Sequence, residues 1–180
     1  MRILKNEIFK MKRIRIAQLS DLEFIWPIVS ASIEKRRLEG SQQWQDGYPN
    51  PDSIANDIGK GYGYVLLSKE DNTTIIGYAA LIYDIEPAYE ELTTGWITKD
   101  SPYSVVHRMA TLQNLPEKGL GTLFMQLLAE KSKGDGLKSL RVDTNFDNTA
   151  MLRILEKLNY TYAGEVYFRG SARKAFEIIL

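Results

Sequence analysis

The chain has 180 residues, enough for one domain that buries its own core without disulfide or metal staples. Its 23 basic and 23 acidic residues cancel and are interspersed, which removes the electrostatic footprint of a general nucleic-acid or membrane-surface binder. No cysteine and one histidine argue against disulfides, a thiolate nucleophile and a multi-ligand zinc site. No apolar run approaches the roughly 18 to 20 residues that span a bilayer. The start Met1-Arg2-Ile3-Leu4-Lys5-Asn6-Glu7 lacks the basic-then-apolar order of a signal peptide, so a soluble cytoplasmic protein is expected.

Residues 1–10 carry little periodicity and read as an N-terminal extension, with a single domain expected over 11–180. Arg13-Ile14-Arg15-Ile16-Ala17 alternates as a strand does. Ser20-Asp21-Leu22-Glu23 has capping-box spacing and predicts a helix with Leu22, Ile25, Trp26, Val29 and Ile33 on one stripe. Pro27 is expected to kink or interrupt that helix, and Gly40 to stop it. Residues 41–51 mix turn formers with Trp44 and Tyr48, forming a loop ahead of a short helix through Ile54 and Ile58. Residues 62–68 and 74–85 are rich in β-branched and aromatic residues, with Asp71-Asn72 as the turn between two strands. A strand over 104–112 precedes Glu117-Lys118-Gly119-Leu120-Gly121-Thr122, after which Leu120, Leu123, Phe124, Leu127 and Leu128 form a helical stripe. A strand over 139–144, a helix over 148–158 and a strand pair over 162–167 and 173–180 complete the chain. Strands joined partly by hairpins and partly by helices predict an α+β fold with a sheet of mixed direction.

The glycine segment lies where a strand ends and an amphipathic helix begins, so successive N–H groups and the helix dipole converge on one point suited to an anion. Glycine lets a phosphate approach the backbone closely. Two rival phosphate motifs do not fit: there is no Walker run, and Phe124 stands where a dinucleotide fingerprint needs a small residue. Taken alone, the segment is equally explained as a tight strand-to-helix turn.

The stretch from His107-Arg108-Met109-Ala110-Thr111 through Pro116-Glu117-Lys118-Gly119-Leu120-Gly121 resembles the acetyl-CoA-binding motif of GNAT acetyltransferases, with Pro116 at the usual Arg/Gln position. Asp143-Thr144-Asn145-Phe146-Asp147-Asn148-Thr149-Ala150 and Leu155-Glu156-Lys157-Leu158-Asn159-Tyr160 resemble the family's late strand and the helix after it. The resemblance covers residues 14–180. It implies a mostly antiparallel central sheet flanked by helices and splayed between the fourth and fifth strands. It also implies acetyl-CoA as co-substrate, with no metal. Met109, Ala110 and Thr111 would pair through their backbone with the pantetheine arm. Glu117, Lys118, Gly119, Leu120, Gly121 and Thr122 would hold the pyrophosphate. Asn148 would touch the cofactor while capping its helix.

The implied reaction is direct attack of a neutral amine on the thioester, which needs a proton acceptor. Asp143 matches an acidic base of some family members, and His107 is the other candidate because imidazole titrates near neutrality. The tyrosine acid of many members falls on Leu155, so no acid is assigned. Trp44, Gln45 and Tyr48 lie in the loop that lines the acceptor entrance in the family, and Arg169 and Arg173 flank the last turn, where they could grip a substrate carboxylate. The expected partner is a small-molecule or peptide amine, and the family resemblance allows a homodimer. Pro116 and Leu155 keep open a non-catalytic acyl-CoA-binding module, and longer acyl chains remain a third reading.

Overall fold

The computed structural model describes residues 13–92, 95–168 and 170–180. The expected extension at 1–10 lies outside the described residues. The element order is β1 (Ile14–Ile16), α1 (Leu22–Leu38), α2 (Pro51–Gly59), β2 (Gly63–Leu67), β3 (Ile75–Ile82), α3 (Pro87–Glu90), β4 (Tyr103–Thr111), α4 (Leu120–Gly134), β5 (Ser139–Thr144), α5 (Thr149–Lys157), β6 (Thr161–Phe168) and β7 (Ser171–Ile179). A 3-10 turn, Leu19–Asp21, precedes α1. The seven strands follow the order β1-β2-β3-β4-β5-β7-β6. The β1–β2, β2–β3, β5–β7 and β6–β7 pairs are antiparallel and β4–β5 is parallel, which is the mixed, mostly antiparallel sheet expected. By its contacts the chain divides into two compact units, the described part of 1–80 with 108–127, and 81–107 with 128–180.

In the first unit the apolar faces of α1, α2, β2 and β3 meet through Ile25, Ile28, Val29, Ile54, Val65, Leu67 and Tyr78, with Ala110 of β4 joining them. Ile25, Val29, Ile54 and Val65 are fully buried, each stabilising the fold by roughly 1.5–3 kcal/mol. The start of α1 departs from the expected capping box. The carboxylate that reaches back is Asp21, which accepts the Gln18 N–H at 2.7 Å. Arg15 clamps the same carboxylate at 2.7 and 2.9 Å and holds it below the usual carboxylate range. With Asp21 fixed one turn earlier, the Ser20 and Glu23 pairing is not needed. Pro27 does not interrupt α1 either, because the apolar contacts of Ile25, Ile28 and Val29 on both sides of it outweigh one lost backbone bond. At the far end Gly40 N–H donates to the Arg37 carbonyl and Ser41 N–H to the Arg36 carbonyl, each at 3.0 Å, the paired bonds of a Schellman stop.

In the second unit Tyr89, Val105, Ala163, Val166 and Ala175 form the core, with Trp96, Tyr103 and Phe168 packed against it. The strand expected to run to residue 85 ends at Ile82, and the chain turns into the four-residue α3. Pro87 supplies the fixed φ that a first helical position favours.

A buried ion pair straps the segment 96–98 to β5 and β7. The Arg141 guanidinium lies 4.2 Å from the Trp96 ring centroid and 3.9 Å from that of Tyr103, and its Nε donates to Glu177 Oε1 at 3.1 Å. Burial pushes the Glu177 carboxyl up, but donors from Thr98, Ser139, Arg141 and the Ile97 N–H together outweigh it and hold the group below the usual range. A carboxyl depressed in the fold adds stability above its unfolded value, about 4.3, and that stability is lost as pH falls through the folded value. Glu177→Gln is therefore expected to lower stability at neutral pH and to flatten its acid dependence below about pH 4.3. Urea unfolding at stepped pH checks this, and parallel curves for the two proteins would refute it.

Candidate active site

The ladder between β4 and β5 runs from Tyr103↔Ser139 to Val106↔Val142 and stops there, although β5 continues to Thr144 and β4 to Thr111. The next residue on β4 is His107 and the next on β5 is Asp143. The two catalytic candidates thus stand together where the pairing ends, with His107 Nδ1 3.7 Å from Asp143 Oδ1.

Three further residues of the second unit complete this cluster. Glu86, the N-cap of α3, places Oε2 3.0 Å from His107 Nε2. Tyr89 on α3 donates its hydroxyl to Asp143 Oδ1 at 2.8 Å, and Arg173 on β7 donates from Nη1 to Oδ2 at 3.3 Å. The Asp143 side chain is 1% exposed, so it relies on these two donors in place of water. Burial, and then the Asp143 charge, push the Tyr89 hydroxyl far up, so it stays protonated and remains a donor. Phe168 meets His107 edge-on at 5.7 Å and Tyr89 at 6.2 Å, and Trp96 lies 5.0 Å from Tyr89. A pocket of about 510 Å³ in this unit has Tyr89, Trp96, Tyr103 and Arg141 in its lining, but neither His107 nor Asp143.

Nothing in the residue pattern of 83–90 announces Glu86 or Tyr89, because the segment carries no periodicity. The Pro87 that follows Glu86 was the one available signal of a helix start there. Asn148, also in this unit, caps α5 by accepting the Met151 N–H at 3.2 Å.

The glycine segment belongs to the first unit. Leu123 N–H bonds to the Gly119 carbonyl at 2.9 Å, which opens α4 and leaves the N–H groups of the preceding residues without intrahelical acceptors. Gly119 has φ +76°, in the left-handed region, and a Cβ built there would find no atom within 4 Å, so the space above the backbone is open. A pyrophosphate fits such a helix start. The Glu117 carboxylate points elsewhere, taking two bonds from buried Arg13 at 2.9 and 3.1 Å, while Arg13 Nε donates to the Leu67 carbonyl. This leaves Glu117 only its backbone to offer a phosphate. Lys118 is exposed, and Thr122 is half-buried.

Arg108, next to His107 in the chain, has φ +54° and so interrupts the extended backbone of β4 just before Met109, Ala110 and Thr111. Its guanidinium makes two bonds to Asp57, at 2.6 and 2.7 Å, and donates to the Tyr48 hydroxyl. Tyr78 donates to Asp57 at 3.0 Å. Of the expected acceptor-loop residues, Tyr48 therefore partners Arg108, and the Gln45 amide donates to the carbonyls of Ile33 and Gln43 at 3.1 and 3.0 Å, closing its own loop. Trp44 is half-buried in the left-handed region, φ +65°. Arg169 lies outside the described residues.

A mixed sheet whose parallel pair stops short, and a glycine-led helix start, are the features the sequence resemblance implied. Residues 29–160 match the family model described as the acetyltransferase (GNAT) family, and the chain belongs to that family. A GNAT-family acetyltransferase from Streptococcus agalactiae 2603 is 33% identical, with 93% of this chain and 94% of that one covered at a TM-score of 0.82. One from Listeria monocytogenes 4b F2365, 13% identical, covers 93% of this chain and 94% of that one at a TM-score of 0.71. An acetyltransferase structure from Salmonella typhimurium with its cofactor acetyl-CoA, 17% identical, covers 93% of this chain and 92% of that one at a TM-score of 0.57. The last two speak to the fold alone. A search of the curated proteins finds no match.

Proposed function

We propose that this chain transfers an acetyl group from acetyl-CoA to a primary amine of a small molecule or peptide by direct attack. The observation that carries the reading is the His107–Asp143 pair at the point where the β4–β5 ladder ends, with Glu86, Tyr89 and Arg173 around it. Backbone groups at Met109, Ala110 and Thr111 hold the pantetheine arm, the N–H groups of residues 117–122 hold the pyrophosphate, and Asn148 contacts the coenzyme. Trp44, Gln45, Tyr48 and Arg169 belong to the acceptor side. The amine nitrogen bonds to the acetyl carbon, the C–S bond breaks, and the thiolate leaves with its electron pair and takes a proton from solvent. The amine proton goes to the base. Both Asp143 oxygens already accept donors, which favours His107 as that base and leaves Asp143 to stabilise the charge His107 acquires.

The test is a panel of small and peptide amines assayed for acetyl-CoA-dependent thiol release, alongside thermal stabilisation by coenzyme A, acetyl-CoA and longer acyl-CoA ligands. Acceptor-dependent release with at least one amine is expected. Leu155, at the position of the usual tyrosine acid, is fully buried and aliphatic, and this favours one second reading, a non-catalytic acyl-CoA-binding module. Stabilisation by coenzyme A without turnover across the panel would select it.

A further inference from the structure

We infer that Glu86 is a positioning residue that keeps the proton of neutral His107 on Nε2 and so makes Nδ1 the atom that receives the acceptor amine's proton, an assignment that rests on the acetyltransferase reading above. A carboxylate only accepts hydrogen bonds, so the 3.0 Å contact between Glu86 Oε2 and His107 Nε2 requires the hydrogen to be on that nitrogen. In the neutral ring the second nitrogen then carries a lone pair, and it faces Asp143 Oδ1 at 3.7 Å, beyond hydrogen-bond range. That oxygen already accepts the Tyr89 hydroxyl, and its partner oxygen accepts Arg173. With the ring neutral, Nδ1 and Oδ1 are thus two acceptors side by side with no donor between them among the described residues, an arrangement that an amine N–H satisfies.

Proton transfer completes the logic. Once Nδ1 has taken the amine's proton, the imidazolium has a carboxylate on each side, Glu86 at Nε2 and Asp143 at Nδ1, so the charge formed during attack is stabilised at both nitrogens. Phe168, edge-on to the ring at 5.7 Å, limits its rotation. Glu86 is itself held. Its N–H donates to the Tyr103 hydroxyl at 3.2 Å, Pro87 fixes the next φ, and its side chain is 17% exposed. Segment 83–90, which shows no pattern in sequence, thereby sets the tautomer of a residue about 20 positions further along the chain.

The chain's one histidine makes the test direct, because a ¹⁵N-imidazole correlation spectrum contains a single ring. At a pH where the spectrum itself shows a neutral ring, wild type is expected to show hydrogen on Nε2 and a bare Nδ1. Glu86→Ala should give a tautomer mixture, whereas Glu86→Gln, whose amide oxygen can still accept from Nε2, should restore the wild-type pattern. In turnover with an amine from the panel, Glu86→Ala should lower kcat by about tenfold or more with KM for acetyl-CoA little changed, and Glu86→Gln should recover much of that loss. Hydrogen on Nδ1 in wild type, or an unchanged tautomer in Glu86→Ala, overturns the assignment. The spectrum needs no turnover, so it judges Glu86 even where the amine panel fails. If Glu86→Ala does not fold, wild type and Glu86→Gln carry the tautomer test. An altered tautomer with unchanged kcat removes Nδ1 from the reaction.

Discussion

Replacing His107 by alanine is expected to lower kcat for acetyl transfer by about 100-fold or more, with acetyl-CoA affinity changed by less than about threefold. The size follows from the task, since an attacking amine must lose a proton and Nδ1 of the neutral His107 ring is placed to take it. Asp143 cannot take over easily, with Tyr89 at 2.8 Å on one oxygen and Arg173 at 3.3 Å on the other. Affinity for the coenzyme is insulated because its expected contacts, the backbone groups of residues 109–111 and 117–122 together with Asn148, do not include His107. Truncation opens a space beside Phe168 and Tyr89, so added imidazole should restore part of the activity. Steady-state kinetics with and without imidazole, beside calorimetric titration of acetyl-CoA, check the result. A kcat within about threefold of wild type would remove His107 from the base role.

What was legible in the sequence was local. Strand alternation, the α4 stripe and the turn chemistry at Asp71 depend on neighbours a few residues apart, so periodicity finds them. The glycine segment was readable for the same reason, because a strand end, two glycines and an amphipathic helix are consecutive. The contacts that refine the site are long-range. Arg13 reaches Glu117 across 104 positions, Tyr89 reaches Asp143 across 54 and Arg173 reaches it across 30, and no pattern of residue types announces such pairs. Glu117 illustrates the consequence. Its place in the motif was visible, but that its carboxylate turns away to Arg13 was not. Gln45 and Tyr48 lie in the expected loop, yet their polar atoms serve the Ile33 and Gln43 carbonyls and Arg108, so position in a loop did not reveal orientation. The helix α3 is too short to have periodicity, and with it Glu86 and Tyr89 went unread.

Asp57→Ala is expected to destabilise the protein by about 3–5 kcal/mol, through the charge it leaves behind more than the bonds it removes. Asp57 is 3% exposed and accepts three donors, two from Arg108 and one from Tyr78. Without it, Arg108 keeps its buried charge beside the Tyr48 hydroxyl, and the Tyr78 hydroxyl loses the Asp57 oxygen it donates to. Arg108 also carries backbone strain at φ +54°, of order 1–3 kcal/mol for a non-glycine residue, which the Asp57 pair holds in place. Paired substitutions separate the two terms. Combining Asp57→Ala with Arg108→Gly removes the orphaned charge and relieves the left-handed conformation, so the double variant should be more stable than Asp57→Ala alone. Asp57→Asn, which keeps one acceptor oxygen, should fall between wild type and alanine. Urea unfolding of the four proteins decides the matter. A loss under about 1 kcal/mol for Asp57→Ala, or a double variant less stable than the single one, would show that the pair neither neutralises a buried charge nor braces the left-handed backbone at Arg108. Because Arg108 is the one residue between His107 and Met109, relaxing its left-handed backbone should also disturb the start of the segment expected to align the pantetheine arm. The folded Asp57→Asn variant is therefore expected to show weakened acetyl-CoA binding at temperatures well below its melting point.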